Sequence, residues 1–202
     1  LCNDGSCYYD GPILINEYSA SNYDTYTDNY GEYEDWVELY NPTPNAIDVS
    51  GWYLSDKVNK PTKWMVPSSF IIAANGVAII YCSGRDELIA SSAHTNFKIT
   101  QTKGNEVLML SNPSGVFQDS IRIIPNQKSH TRGRDTDGAA NWSIFVNGTP
   151  NSSNAGAMQD YATTPIFSLS EGYYNSAINL SLHSPDPNST IYYTTNGDEP
   201  NN

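Results

Sequence analysis

Between Asp35 and Asp56 the chain alternates with a period of two residues, and that period restricts the segment to strands. In Asp35-Trp36-Val37-Glu38-Leu39-Tyr40-Asn41-Pro42, the apolar Val37 and Leu39 interleave with Trp36, Glu38 and Tyr40. This is the pattern of a strand with one face buried. Asn41-Pro42 ends the run, because proline offers no N–H to a ladder and restricts its predecessor. Gly51 opens a second alternating run, Trp52-Tyr53-Leu54-Ser55. No long stretch carries a helical apolar period, and the 15 tyrosines and 4 tryptophans suit a pleated, half-buried surface. Glycine and proline are spread through the chain as turn punctuation. The fold class that follows is all-β.

Other segments fit the same plan. Ile13–Tyr18 reads as the first strand, and a polar, tyrosine-rich segment then runs from Ser19 to Glu34. Lys63–Val66, Phe70–Ile72, Val77–Cys82 and Phe97–Ile99 are expected strands, with Ala74-Asn75-Gly76 as a tight turn. Glu106–Ser111 and Val116–Ile124 flank Asn112-Pro113-Ser114-Gly115, a hairpin signal, and Trp142–Val146 is the expected last strand. From Asn147 to Thr164 the composition is that of a linker. Ile178–Leu182 then alternates again, and Thr190–Gly197 reads as a strand running into a turn.

Several motifs in series resemble the lamin tail domain family in its bacterial extracellular form. They are Ile15-Asn16-Glu17, Gly31-Glu32-Tyr33-Glu34-Asp35-Trp36-Val37-Glu38-Leu39-Tyr40-Asn41, Val49-Ser50-Gly51-Trp52-Tyr53-Leu54-Ser55-Asp56, Pro61-Thr62-Lys63-Trp64, His94-Thr95-Asn96-Phe97-Lys98, and Gly133-Arg134 followed by Trp142. The tail run Tyr193-Thr194-Thr195-Asn196-Gly197-Asp198-Glu199-Pro200 resembles the first half of a chitobiase/hexosaminidase C-terminal-type module. The resemblance implies an immunoglobulin-like antiparallel β-sandwich over residues 12–156. An N-terminal segment (1–11) precedes it, and a linker (157–164) and an incomplete second β module (165–202) follow. It also implies a non-catalytic module of a larger secreted or surface-attached bacterial protein, extracellular or at the cell surface. Adhesion or docking through protein contacts is the expected role. The alternative is a carbohydrate-binding accessory module that uses the tyrosine-rich loop on a polysaccharide.

Charge narrows the partners. With 22 acidic and 10 basic side chains the formal charge is −12, a surface that repels phosphate backbones, so nucleic acid is not an expected partner. No apolar run reaches membrane-spanning length, so membrane insertion is not expected either. Leu1 reads as a processed or trimmed terminus, and a monomer is expected.

Candidate sites are few. There is no Gly-x-Ser-x-Gly elbow, no His-Glu-x-x-His pair and no glycine-rich phosphate loop, so no enzyme activity is expected. His94, His130 and His183 lack a neighbouring His or Cys at metal-ligand spacing, and a structural hydrogen bond is the expected role of His94. Glu34, Asp35 and Glu38 are close in sequence, but a glycosidase needs two carboxylates facing one another across a substrate. Edge charges and turn hydrogen bonds are their expected roles. Tyr18, Tyr23, Tyr26, Tyr30 and Tyr33 cluster around one loop and are the candidate ligand-binding residues. No cofactor is expected, although two loops place oxygen ligands around a glycine and are candidates for Ca²⁺. One carries Asp28, Asn29 and Glu32, the other Asp135 and Asp137. Cys2 and Cys7 either close a small disulfide loop or are two free thiols, and Cys82 reads as a buried core thiol.

Overall fold

The two-residue period forms strands in a computed structural model of the chain, which describes residues 12–158, 160–198 and 200 and the backbone of 2–3 and 6–7. The chain divides into two units, Leu1–Gln159 and Asp160–Asn202. The first contains β1 (Leu14–Ser19), β2 (Trp36–Tyr40), β3 (Tyr53–Ser55), β4 (Trp64–Met65), β5 (Val77–Tyr81), β6 (Glu87–Ile89), β7 (Ser92–His94), β8 (Val107–Ser111), β9 (Phe117–Arg122), β10 (Thr131–Arg134) and β11 (Trp142–Phe145). A seven-stranded sheet has the order β6-β7-β5-β2-β1-β10-β11, and a four-stranded sheet the order β9-β8-β3-β4. Pairing is antiparallel except between β7 and β5. Short strands Cys2–Asn3 and Ser6–Cys7 also pair. The side chains of Cys2 and Cys7 lie outside the described residues, and the question of their disulfide with them.

The two sheets close on one core. Ile15, Val37, Leu39 and Ile80 from the larger sheet meet Leu54, Leu108 and Leu110 from the smaller, with Trp52 and Trp64 packed among them. Cys82 is part of this core, and burial pushes its thiol well above the usual range. One buried ion pair spans the sheets: Arg134 of β10 donates to Asp119 of β9 at 2.9 Å and to the carbonyl of Ile15 at 2.7 Å. Asp119 also accepts the Ile15 N–H at 2.8 Å.

A bulge in β1 decides which side chains leave the core. The register with β2 shifts between Ile15 and Glu17. Ile15 and Tyr18 thereby both stay inside, while Asn16 and Glu17 are released to hydrogen-bond with segments outside the strand pair. The outer face of the seven-stranded sheet is covered as well. Trp36, Ile79 and Tyr81 form a second small cluster there, with Tyr26 packed on it.

The structure corrects several expectations. β2 lies inside the sheet and Glu38 is fully buried, so it is not an edge charge. Residues 147–158 lie on the sheet as a strap, with Asn154 buried and Met158 bridged to Ile144. Strands β6, β7 and β10 carry no alternating signal. All four residues of β10 are buried, and a Cβ on Gly133 would sit 2.9 Å from the Asn154 amide and 3.0 Å from Glu17. Phe97–Ile99 forms only an isolated bridge, Ser83 to Lys98.

The second unit holds one antiparallel pair, β12 (Ile166–Phe167) with β13 (Leu182–His183). The expected strands at 178–181 and 190–194 are absent among its described residues. None of those residues is fully buried, and Phe167, Leu180 and Tyr193 are exposed.

Candidate functional site

The five candidate tyrosines do not share a surface. Tyr18 is buried in the core, where its hydroxyl accepts the Ile124 N–H at 3.0 Å and its ring lies 6.0 Å from Trp142. Tyr26 stacks on Tyr81 with an interplanar angle of 11°, which fastens the loop to the sheet. Tyr30 is covered by the Arg85 guanidinium, 4.7 Å from its ring centre, and bonds through its hydroxyl to Glu87 at 2.8 Å. Only Tyr23 and Tyr33 remain to line a common hollow.

The carboxylates of the first proposed calcium loop converge on a guanidinium, and those of the second turn to different partners. Asp28 accepts the N–H groups of Tyr30 and Glu32, then pairs with Arg85 at 3.0 Å. Glu32 also bonds Arg85, so a guanidinium occupies the place a cation would take. Asn29 accepts at 2.7 Å from His94, whose other ring nitrogen accepts from Ser83 at 2.9 Å. Burial lowers the His94 pKa, which keeps this tautomer neutral. Asp135 is engaged by the Ser143 hydroxyl, and Asp137 accepts from Asn16 and the Asn154 N–H. Among the described residues no group of three or more His, Cys, Asp or Glu side chains has the geometry to hold a metal.

Sequence reasoning missed a buried acidic cluster under the strap. Glu17 and Glu38 stand opposite one another on β1 and β2, both fully buried. Glu17 accepts from Thr131 and from the backbone and hydroxyl of Thr149. Glu38 accepts from Asn16 at 3.1 Å and from the Asn151 N–H at 2.8 Å. Burial pushes Glu38 up to about 8, with the charges of Glu17 and Asp137 adding to the effect. Glu17 is raised for the same first reason. Every oxygen faces a donor of the strap or its neighbours, and the network is closed to solvent, so it clamps the fold. Asn154 is its hub, bonding the carbonyls of Arg134 at 2.6 Å and Asn16 at 3.3 Å and the side chain of Asn16 at 3.2 Å. Asn154→Ala is expected to lower stability by about 2 kcal/mol in urea denaturation, because it leaves buried carbonyls unpaired.

The hollow lined by Tyr23 and Tyr33 measures about 280 Å³. It lies at the sheet end where β1 and β5 finish and β2 begins, since Ser19, Trp36 and Tyr81 are in register there. Asn22, Glu34, Asp35, Lys98, Thr100 and Gln101 supply most of its polar wall. Asp35 accepts the Asn22 N–H at 2.9 Å, and burial pushes its carboxyl up to about 6.

A different surface is open on the four-stranded sheet. Leu54, Leu108 and Leu110 point into the core, so their strand neighbours point outward. Met65, Tyr53, Ser111 and Phe117 lie in one row across β4, β3, β8 and β9. Met65 is 56% and Phe117 38% exposed, and Val116 beside them is 56% exposed. Met109 and Val107 continue the face half-buried, Ser120 and Arg122 flank them in register, and Ser111 and Ser55, at the same rows, are fully buried, so the exposed apolar groups stand apart on the face. The outer face of the larger sheet carries the Trp36–Ile79–Tyr81 cluster and, beside it, a hollow of about 500 Å³ lined by Tyr26, Val77, Ile79, Tyr81 and Leu88, whereas on the smaller sheet Met65, Val116 and Phe117 meet water.

The lamin tail domain family model matches residues 8–124. The chitobiase/beta-hexosaminidase C-terminal domain model matches residues 169–202. No curated protein matches the chain. The described sandwich runs past the first match, through β10, β11 and the strap. With more than half its length matched and an immunoglobulin-like all-β sandwich in place, the chain belongs to the lamin tail domain family.

Proposed function

We propose that this chain is a non-catalytic docking module of a larger extracellular or surface-attached bacterial protein, acting through protein–protein contacts. The observation that carries the reading is the outer face of the four-stranded sheet, where Met65, Tyr53 and Phe117 lie in one row through Ser111, Met109 lies in the next row, and Met65 and Phe117 are exposed. Exposed Met and aromatic side chains grouped on one face support a contact surface, since both are enriched where proteins meet. Sugar recognition would call for several coplanar exposed rings along a groove, and of the five loop tyrosines Tyr18 is in the core, Tyr26 stacks on Tyr81 and Tyr30 packs against Arg85, which leaves Tyr23 and Tyr33. The carboxylates with raised pKa values under the strap are enclosed by structural donors, which supports a module without chemistry of its own. A tail similar to an accessory domain of glycan-processing enzymes supports the extracellular setting.

Replacing Met65 and Phe117 together by Lys puts two charges on the face without touching the core. The double variant is expected to fold as the wild type by circular dichroism and to lose binding to surface-protein extracts of its source organism. Retained binding by the folded variant would refute the assignment of this face.

A further inference from the structure

We propose that the hollow between Tyr23 and Tyr33 is a second contact point, which receives one basic side chain of the docked protein onto Asp35. This rests on the docking reading but uses a different surface. A volume of about 280 Å³ accommodates a single side chain. The one cation in its wall, Lys98, is paired with Glu34 and not with Asp35. Asp35 accepts one N–H, from Asn22, and among the described residues no Lys or Arg forms an ion pair with it.

The groups facing Asp35 leave it in that state. Glu34 and Glu106 are negative, and Cys82 is buried with its thiol held protonated. Lys98, the nearest cation, is held by both carboxylate oxygens of Glu34, at 3.1 and 2.9 Å. A partly desolvated carboxylate with one donor gains most from a charge-assisted hydrogen bond, which an ammonium or guanidinium supplies and a sugar hydroxyl does not. The flanking rings favour the same ligand, since aromatic faces attract cations. Tyr23 already does so, since the ammonium of Lys128 stands 5.3 Å from the ring centre and pairs with Asp24 at 3.2 Å. The net charge of −12 steers basic partners toward the whole surface.

The test is a ¹H–¹⁵N titration of the purified chain with Nα-acetyl-lysine methylamide, Nα-acetyl-arginine methylamide and, as the neutral probe, methyl α-glucoside. A cationic probe is expected to shift residues 20–35 and 98–102 saturably, with a dissociation constant on the order of millimolar. Lowering the pH from 7.5 to 5 protonates Asp35, whose carboxyl titrates at about 6, so affinity should fall about tenfold. Asp35→Asn, which keeps an acceptor for the Asn22 N–H, should weaken binding about tenfold and abolish that pH dependence. Tyr23→Ala, at a position 63% exposed, should fold normally and weaken binding several-fold. Phe117→Lys should leave it unchanged, which separates this site from the sheet face. No shift with either cation, equal binding by Asp35→Asn, or saturation by the glucoside alone would overturn the proposal.

Discussion

Arg134→Met is expected to destabilise the sandwich by about 3–5 kcal/mol, the cost of stranding one member of a buried ion pair. Both partners are fully buried, and the pair ties the two sheets together through Asp119 and the Ile15 backbone. Burial raises the Asp119 pKa and the Arg134 charge opposes that rise, so removing the guanidinium leaves a carboxylate that must protonate or unfold the site. The double variant Arg134→Met, Asp119→Leu should recover a substantial part of the loss, because the uncompensated charge is gone as well. Urea unfolding of both variants measures this directly. A single variant within about 1 kcal/mol of wild type would show that the pair does not hold the sheets.

Stability should also fall as the pH rises from weakly acidic to about 8, a window set by one buried carboxyl. The folded chain holds the Glu38 proton up to about pH 8, whereas the unfolded carboxyl releases it near 4.5. The associated stability is therefore complete below about pH 4.5 and is lost as the pH rises toward 8. At about 1.4 kcal/mol per pH unit from pH 6 to 8 and with no further loss above, the fall is at most about 3 kcal/mol. Glu17, raised in the same direction, adds to the slope. Glu38→Gln cannot ionise, and its stability should decline over this range by less than half as much. Identical slopes for the two proteins would mean that the cluster carries no proton at neutral pH.

The sandwich was legible because Val37, Leu39, Leu54 and Leu110 are placed by periodicity, and periodicity reports which side chains meet in a core. The same rule misjudged Glu38. Alternation tells the two faces of a strand apart but not whether a later segment will cover the polar one. The covering strap has the composition of a linker, since its Asn151, Thr149 and Asn154 are there to hydrogen-bond with carboxylates. β10 escaped notice for a related reason: Thr131, Arg132, Gly133 and Arg134 are buried by polar pairing and by close backbone approach, neither of which leaves an apolar signature. The tyrosine loop was visible as a cluster in sequence, but five neighbouring rings can face five ways. Asp35 matters through Asn22, Lys98 and Glu106, contacts that only the folded topology assembles.

The docking claim rests on one face, and a photoreactive phenylalanine analogue at position 117 interrogates it most directly. The purified chain so labelled is irradiated in surface-protein extracts of its source organism, beside a control labelled at Ile89 of β6, which is exposed and belongs neither to this face nor to the tyrosine-lined hollow. A discrete, protease-sensitive adduct at position 117, abolished by Met65→Lys, is the predicted result. An adduct that forms equally at both positions, or none at 117 from a correctly folded chain, would contradict the account.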